Sequence, residues 1–475
     1  MKKKILSTIF TMMLFAVLFT TATVEAKASA GGGLTVSGLK KDGTTEQIGD
    51  YDSSEDGWNE AMDLADDSSY LKKNGYEYIV VDLKGDWKAV DGQFTEDFFN
   101  GAGFDWDAIY IPEKARVILN MNGYTIDRGL TEIEMNGEVI CIDEGANVII
   151  NGDNGTITGG ASRNGAGGIH IRENAVVTLN DVCISGNLSH SKGSAVAVLE
   201  NASLTMNGGQ ISKNSLFDET SFIINDLNCG WGTIDVVSAT VTFNSVEIFG
   251  QKSIQGFEKA MILNADEGSE IVMENCKIYN NTIEHADGRM SLMVIEGCSS
   301  LTMNDCQVYQ NGYSKSKVYG GTLLTVYRDS EIAITNSEFF ENNLQDVLKA
   351  YPVKKFTITD SNFYDNSGRA LWCVGLDDRV GTVSNCTFNN NAKKIEISAL
   401  RIDRESNLTF DSCDLGDSTF ENKQYATFTN CTGDGIGSLF GAGSAPMLIA
   451  MGALIAVFAG ASVVVVKKRR AAEAK

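Results

Sequence analysis

Short stretches in which apolar and polar residues alternate recur along the middle of the chain. Each stretch fits a strand with one buried face, and the copies align without gaps. We call the third residue of each aligned segment position x. Position x is Leu179, Met206, Phe243, Met273, Met303, Ile334, Ile358 and Val383, with weaker copies at Leu119, Ile150, Phe410 and Phe428.

The spacing between successive copies averages about 28 residues, which lies in the range of solenoid repeats. A repeat of that length holds three short strands, and each strand would pair with its copy about 4.8 Å away on the next coil. The pattern therefore predicts an all-β fold over residues 111–435. The specific expectation is a right-handed parallel β-helix solenoid of about twelve coils.

Two further columns support this register. Position x+5 is apolar and predicts an interior stack: Ile184, Ile211, Ile248, Ile278, Val308, Phe339, Phe363, Phe388 and Leu415. Position x+8 is an amide on consecutive copies: Asn187, Asn214, Gln251, Asn281, Asn311, Asn342, Asn366 and Asn391. Because Asn tolerates left-handed backbone and can bond to the next coil, we interpret this column as a structural ladder at a corner.

The sequence resembles the right-handed β-helix repeats of pectin-lyase-like bacterial surface proteins. Gly167-Gly168-Ile169-His170-Ile171 followed by Thr178-Leu179-Asn180-Asp181 carries the resemblance, as does the segment Leu204–Gly209. It covers about residues 110–435. It implies the fold, but it does not select a function, because lyases, hydrolases, epimerases and non-catalytic adhesins share this architecture.

The region before the repeats, residues 31–110, has a different pattern. Trp58, Ala61, Met62 and Ala65 fall on one helical face, and Tyr78–Leu83 reads as a strand. We expect an N-terminal helical cap over the first coil, since an open solenoid end invites edge-to-edge pairing. A separate small domain is the alternative.

Both ends of the chain carry targeting signals. Residues 1–30 combine three lysines, an apolar run and a small-x-small site, which predicts a signal peptide. A linker at 436–446 precedes residues 447–466, an uncharged run long enough for one C-terminal transmembrane helix. The basic tail 467–475 would be cytoplasmic. This predicts a single-pass cell-membrane protein with an extracellular N-terminal ectodomain, and no LPxTG-like sorting motif is present.

The negative net charge of the protein argues against one class of partner, nucleic acids. The net charge is −23 and is concentrated between the two basic ends. Such a body would repel phosphate backbones, so we expect no nucleic-acid partner. We predict no cofactor and no metal site, because the sequence contains no EF-hand loop. The acidic composition would nevertheless permit Ca²⁺ to bind.

Five of the ten cysteines share position x+3, namely Cys276, Cys306, Cys386, Cys413 and Cys431. Other coils place small residues there, which predicts an inward column of small side chains. Parallel in-register cysteines are a poor torsional match for disulfides, so we favour free thiols. The sequence contains no CxxC motif and only three His residues, which argues against zinc.

Position x+6 should point outward, opposite to x+5. It carries an aromatic residue on successive coils: Phe249, Tyr279, Tyr309, Phe340 and Tyr364. Such a ladder would suit sugar rings, which stack on aromatic faces while their hydroxyls bond to polar neighbours. The alternative, which we favour, is that the rings stack on one another or lie under the loops that follow each Asn, since aromatics pair well across strands.

Charged turns on the C-terminal coils supply the candidate catalytic residues Asp377, Asp378, Asp403 and Arg404. By the resemblance, lyases of this fold gather acidic residues around calcium beside an Arg or Lys base, and hydrolases use clustered carboxylates. The hydrolase series of motifs is absent apart from Asp377-Asp378. A solvated charged turn is therefore the preferred interpretation.

These observations favour a non-catalytic, adhesin-like surface protein whose rod displays a glycan-binding or protein-binding face. Its partner would be a polysaccharide or surface glycan, or a protein on a host or cell surface. The alternative is a cell-surface polysaccharide lyase or glycoside hydrolase that uses the acidic turns. A spacer without a ligand is a third, simpler possibility.

Overall fold

A computed structural model describes residues 33–52, 54–88, 109–134, 136–190, 192–216, 232–253, 260–283, 290–313, 320–374, 381–392, 398–403 and 407–433. The predicted signal peptide, juxtamembrane linker, transmembrane helix and basic tail lie outside these residues. Within the described ranges, no helix combines the length and the apolar character needed to cross a membrane.

The described residues form four sheets, which we name A to D. Sheet A has strands Leu34–Lys40, Thr45–Tyr51, Tyr76–Leu83, Arg116–Asn120, Asn147–Asn151, Val176–Asn180, Ser203–Asn207, Thr240–Asn244, Glu270–Glu274, Ser300–Asn304, Glu331–Thr335, Lys355–Thr359, Gly381–Ser384, Leu408–Asp411 and Ala426–Thr429. Sheet B has strands Trp87–Lys88, Thr125–Asp127, Thr156–Thr158, Cys183–Ser185, Gln210–Ser212, Glu247–Phe249, Lys277–Tyr279, Gln307–Tyr309, Glu338–Phe340, Asn362–Tyr364 and Thr387–Asn389.

Sheets C and D complete the coils. Sheet C has strands Ile109–Ile111, Ile140–Ile142, Ile169–Ile171, Val196–Val198, Ile234–Val237, Ala260–Asp266, Ser291–Ile295, Thr322–Val326, Asp346–Ala350, Arg369–Cys373, Leu400–Ile402 and Phe420–Glu421. Sheet D has the short strands Ala161–Ser162, Leu188–Ser189, Ser215–Leu216, Lys252–Ser253, Thr282–Ile283 and Gly312–Tyr313. A short 3-10 helix spans Lys423–Tyr425.

The strands pair in parallel from coil to coil, with the register that the repeats predict. Along sheet A, every residue at position x pairs with the next, from Leu119 to Phe428. The x+5 residues from Ile184 to Leu415 are fully buried. Parallel strands whose inward apolar residues stack from coil to coil give an all-β solenoid with a continuous core.

Left-handed residues form the two corners that flank each sheet B strand. In one coil, Asp305 (φ 54°) lies between strands Ser300–Asn304 and Gln307–Tyr309, and Gln310 (φ 55°) follows the second of these strands. Asn311, at position x+8, comes directly after that second corner. The left-handed residue of the corner is thus the one before the amide ladder, and the amide itself turns inward, where it is buried.

The amide ladder is hydrogen-bonded from coil to coil, as its structural interpretation predicts. Asn281 Nδ2 donates to Asn311 Oδ1 (2.8 Å), and Asn311 Nδ2 donates to Asn342 Oδ1 (3.0 Å). Asn311 Nδ2 also lies 2.9 Å from the carbonyl oxygen of Ile278. These amides satisfy buried main-chain groups at the corner, so they have no capacity left for a ligand.

The described cysteines are free thiols. At position x+3, Cys276, Cys306, Cys386 and Cys413 are buried, while Cys431 at the end of the column is half-buried. Their Sγ atoms donate to main-chain carbonyls at the A–B corner; Cys306 Sγ, for example, lies 3.2 Å from the oxygen of Asn304. The column therefore packs as small inward side chains.

The N-terminal region adds helices α1 (Ser54–Asp66) and α2 (Ser68–Asn74) to sheet A. Trp58, Ala61, Met62 and Ala65 are buried, so the predicted helical face does pack inward. The sequence analysis missed the hairpin Leu34–Lys40 and Thr45–Tyr51, which extends sheet A in the antiparallel direction. The role of this region as a cap stays a prediction.

Candidate functional site

The aromatic ladder, Phe249, Tyr279, Tyr309, Phe340 and Tyr364, lies on the outer side of sheet B. Each ring occupies the last position of its strand and is half-buried. Neighbouring ring centroids are 4.9–5.1 Å apart, with interplanar angles of 1–11°. Because the strand spacing is about 4.8 Å, in-register rings with the same side-chain direction meet face to face.

This geometry matches the alternative in which the rings stack on one another. The face of each internal ring is covered by its neighbour, so a sugar ring cannot lie flat on Tyr279, Tyr309 or Phe340. What the ladder presents to solvent is an apolar strip of ring edges. The assignment of these residues to ligand binding stays a prediction.

A row of polar side chains runs beside the ladder at position x+4, and we call it the polar row. It consists of Glu247, Lys277, Gln307, Glu338 and Asn362. Lys277 Nζ lies 3.2 Å from Glu247 Oε1, and Gln307 Nε2 donates to Glu338 Oε2 at 3.2 Å. The strip of ring edges is thus flanked by donors and acceptors that repeat once in each coil.

Tyr279 links the ladder to the polar row. Its hydroxyl donates to Glu247 Oε2 at 2.9 Å. Burial and the neighbouring Glu247 carboxylate raise the pKa of Tyr279 to about 12. The phenol therefore remains a hydrogen-bond donor at every physiological pH.

The candidate catalytic residues Asp377, Asp378 and Arg404 lie outside the described residues. Asp403 is described, and it accepts hydrogen bonds from Trp372 Nε1 (3.1 Å), Arg401 Nε (3.1 Å) and Asn422 Nδ2 (3.2 Å). Burial raises the pKa of Asp403, but these hydrogen bonds outweigh burial and hold the pKa below its ordinary value. Asp403 is an ionised acceptor engaged in positioning its neighbours.

Those neighbours form a cluster on sheet C that the sequence analysis missed. Lys349, Trp372 and Arg401 occupy the same position on consecutive strands, and we call them the cation–aromatic stack. Lys349 Nζ lies 3.7 Å from the centroid of the Trp372 ring, and the Arg401 guanidinium carbon lies 4.5 Å from it. All three side chains are half-buried, like the rings of the aromatic ladder. The indole is thus held between two cations.

A second aromatic pair adjoins the stack. The rings of Tyr327 and Tyr351 stack with centroids 4.6 Å apart, and Lys349 Nζ is 4.9 Å from the Tyr351 centroid. Arg401 pairs with Asp403 at 3.1 Å and with Glu421 at 3.6 Å. Among the residues that the structure describes, Lys349 has no carboxylate within ion-pair distance. Its ammonium contacts two rings, and its charge also acts on the Asp346 carboxylate, where it opposes the rise in pKa that burial causes.

A buried ion pair supports the stack from one side. Arg369 and Asp346 are paired at 3.4 Å, and only 4% of each side chain is exposed. The Arg369 guanidinium lies 4.8 Å from the Trp372 centroid. Burial raises the pKa of Asp346 to about 6, although the charge of Arg369 opposes the rise. Since this pair is covered, it fixes Trp372 and does not meet a ligand itself.

The sequence did contain a signal for the stack. Leu348-Lys349-Ala350, Leu371-Trp372-Cys373 and Leu400-Arg401-Ile402 share an apolar–variable–apolar pattern, and the structure pairs them in register. The segments between position x and these triplets differ in length from coil to coil. Aligning the repeats on position x therefore does not bring the triplets together.

The described residues contain no group of three or more His, Cys, Asp or Glu side chains that could hold a metal ion. Both candidate surfaces instead consist of aromatic rings, charged groups and amides. Such groups are suited to binding a polar ligand at a protein surface.

Comparison with known proteins supports the fold. Residues 263–432 match the family model of the right handed beta helix region. No curated protein matches the sequence, and no solved structure matches it. The matched segment includes the coils that carry most of the aromatic ladder and the whole cation–aromatic stack.

Proposed function

We propose that this right-handed β-helix protein is a membrane-anchored bacterial cell-surface protein whose rod binds an extended glycan without cleaving it. The signal-peptide and transmembrane patterns of the sequence support the location. The aromatic ladder and the polar row support the binding role.

The observation that carries this proposal is the repeat of one pair of groups on consecutive coils. Each coil offers a ring edge and a polar side chain, and the next coil offers the equivalent pair about 4.8 Å further along. A polymer lying parallel to the rod axis would therefore meet the same chemistry at each step. Its apolar C–H groups would pack against the ring edges while its hydroxyls bond to the polar row and to the Tyr hydroxyls.

A glycan fits this face better than a peptide does. Extended peptides bind sheets by adding a strand to an exposed edge. The sheet B strands that carry the ladder already pair with neighbours on both sides, so their main-chain groups are occupied. Only side chains are available on the face, and sugar hydroxyls are suitable partners for them.

The non-catalytic part of the proposal is supported by Asp403. General acid–base catalysis needs a carboxyl group that can reach the proton it transfers. The Asp403 carboxylate already accepts three hydrogen bonds from protein groups. If the protein is instead a lyase or a hydrolase, the test below will detect released sugar ends.

The test is an array of neutral and acidic polysaccharides probed with the full-length chain in mild detergent and calcium. Bound protein and released sugar ends are both measured. We expect retention without cleavage, and we expect Tyr309→Ala to weaken binding of the neutral polysaccharides about tenfold, since loss of apolar contact with a ring edge should cost about 1–2 kcal/mol.

The matched control is Tyr70→Ala, which removes a half-exposed ring from helix α2, away from the ladder. Tyr309→Phe separates the ring from its hydroxyl. Equal binding of the neutral polysaccharides by Tyr309→Ala and the wild type would contradict the proposed face. Released sugar ends that disappear in Asp403→Asn would instead establish an enzyme, and capture of a protein only would exclude the glycan.

A further inference from the structure

The cation–aromatic stack on sheet C carries two half-buried cations, Lys349 and Arg401, on a protein of net charge −23. Arg401 is neutralised by Asp403 and Glu421, and the buried Arg369 is paired with Asp346. Lys349 differs, because its ammonium contacts the rings of Trp372 and Tyr351 and forms no ion pair with a described carboxylate, although Asp346 lies near enough to interact with its charge. An ammonium carries three donors, and rings attract its charge without accepting those protons in conventional hydrogen bonds.

The stack is held in place before any ligand arrives. Trp372 donates its Nε1 hydrogen to Asp403 at 3.1 Å, and cations contact it from the coil before, the coil after and its own strand. Tyr351 is fixed by its stack with Tyr327. Side chains that are fixed in this way lose little conformational freedom on binding, which favours recognition of a ligand.

The same surface combines two kinds of chemistry within a few ångströms. The Lys349 ammonium suits an oxyanion, and the exposed parts of Trp372, Tyr351 and Tyr327 suit an apolar sugar edge. A solvated lysine with no other role would extend into water, but Lys349 lies 3.7 Å from the indole centroid. A ligand that carries both an oxyanion and a ring system would use both.

We propose that the Lys349–Trp372–Tyr351 surface is a binding site for the oxyanion of an acidic glycan, either a carboxylate or a sulfate ester. This site is on sheet C and the aromatic ladder is on sheet B, so it is independent of the proposed function. At physiological ionic strength the Debye length is about 8 Å, so exposed carboxylates farther away than this are largely screened from an anion bound here. The three nearer carboxylates, Asp346, Asp403 and Glu421, are paired with Arg369 and Arg401.

The experiment measures binding of three polymers that share one backbone: dextran sulfate, carboxymethyl dextran and unmodified dextran. The full-length chain is used at about 0.15 M salt, where non-specific attraction is weak. The variant is Lys349→Met, which keeps the length of the aliphatic stem and removes the charge. The control is Lys355→Met, which removes an exposed charge from sheet A six residues further along the chain.

We expect binding to at least one charged dextran and none to unmodified dextran. Lys349→Met should weaken that binding about tenfold, as expected for loss of a charge-assisted contact, and Lys355→Met should weaken it less than twofold. Preference between the two charged polymers identifies the oxyanion as sulfate or carboxylate. Tyr309→Ala should leave the affinity unchanged, which separates this site from the ladder.

Three results would overturn the proposal. The first is no binding to either charged dextran. The second is equal weakening by the two lysine variants, which would indicate diffuse polyelectrolyte attraction. The third is tighter, Lys349-dependent binding of poly-glutamate than of either charged dextran, which would make the ligand an acidic peptide. Circular dichroism of each variant confirms that the coils remain folded.

Discussion

One in-register column of side chains on sheet C points away from the coil interior, and the two ends of the sheet fill that column differently. Near the N-terminal end the column holds Cys141, His170 and Ala197, which are 0–7% exposed. Towards the C-terminal end it holds Lys349, Trp372 and Arg401, which are half-buried. The strands are paired in register at both ends, so the difference lies in how far the surrounding residues bury this column. That burial determines which side chains can occupy it.

The covered end requires uncharged or paired groups, as the environment of His170 shows. Its Nδ1 lies 3.2 Å from Glu138 Oε1, and both side chains are buried. Gly165 approaches this pair so closely that a Cβ there would be 1.6 Å from Glu138 Oε1. Burial, with the charges of Lys192 and Arg172 adding to it, lowers the pKa of His170 to about 3. The open end can instead display charges that a ligand could reach.

Moving a charge from the open end to the covered end of sheet C should have the largest effect on stability. Ala197 is fully buried, so Ala197→Lys would bury an ammonium and overpack the site. We expect a loss of about 4 kcal/mol or more in the free energy of unfolding, measured by urea titration. Ala197→Met serves as the control for size, and equal stability of the Lys and Met variants would show that this position is not dry.

The buried ion pair that supports the open end should be almost as sensitive. Arg369→Met leaves Asp346 in the interior without its partner, and we expect a loss of about 3–5 kcal/mol. The double variant Asp346→Leu/Arg369→Met should recover most of that loss, because it removes both buried charges. Hydrogen exchange in strand Arg369–Cys373 reports the local effect. No recovery in the double variant would mean that packing, and not charge, sets the penalty.

The sequence predicts the columns of side chains whose spacing from position x is the same in every repeat. Positions x, x+3, x+5, x+6 and x+8 lie in one unbroken segment, so aligning Leu179 with Met206 also aligns the interior, the amide ladder and the aromatic ladder. Sheet C comes after segments of varying length, so its pairing depends on the folded coil. Lys349 and Trp372 are 23 positions apart, whereas Trp372 and Arg401 are 29 apart, and only the structure pairs them.

The N-terminal hairpin and the stacking of the ladder rings could not be predicted from the sequence either. Thr45–Tyr51 is polar and mostly exposed or half-buried, so it carries no strand pattern that could have predicted the N-terminal hairpin. Face-to-face stacking of the aromatic ladder depends on ring orientation, which alternation of residue types does not encode. The sequence could therefore offer both interpretations of the ladder but could not choose between them.

The covered end should also respond to pH. Because the folded-state pKa of His170, about 3, lies below the ordinary value of 6.5, the unfolded chain binds the extra proton between those values. The contribution to stability is complete above about pH 6.5 and is lost as the pH falls toward 3. We expect wild type to lose about 2–3 kcal/mol more than His170→Gln between pH 7 and pH 4, by urea titration. A constant difference between the two proteins across this range would show that His170 is not held neutral.

The smallest change in the free energy of unfolding is expected for substitution of Lys349. The Lys349 side chain is only half-buried, so removing its contacts with Trp372 and Tyr351 in Lys349→Met should change the free energy of unfolding by only about 0.5–1 kcal/mol. Lys355→Met is again the matched control, with no aromatic contact to lose. A lysine that contributes little to stability yet is needed for anion binding would separate ligand recognition from folding at the open end. A loss of 3 kcal/mol or more would instead assign the stack a structural role like that of the Arg369–Asp346 pair.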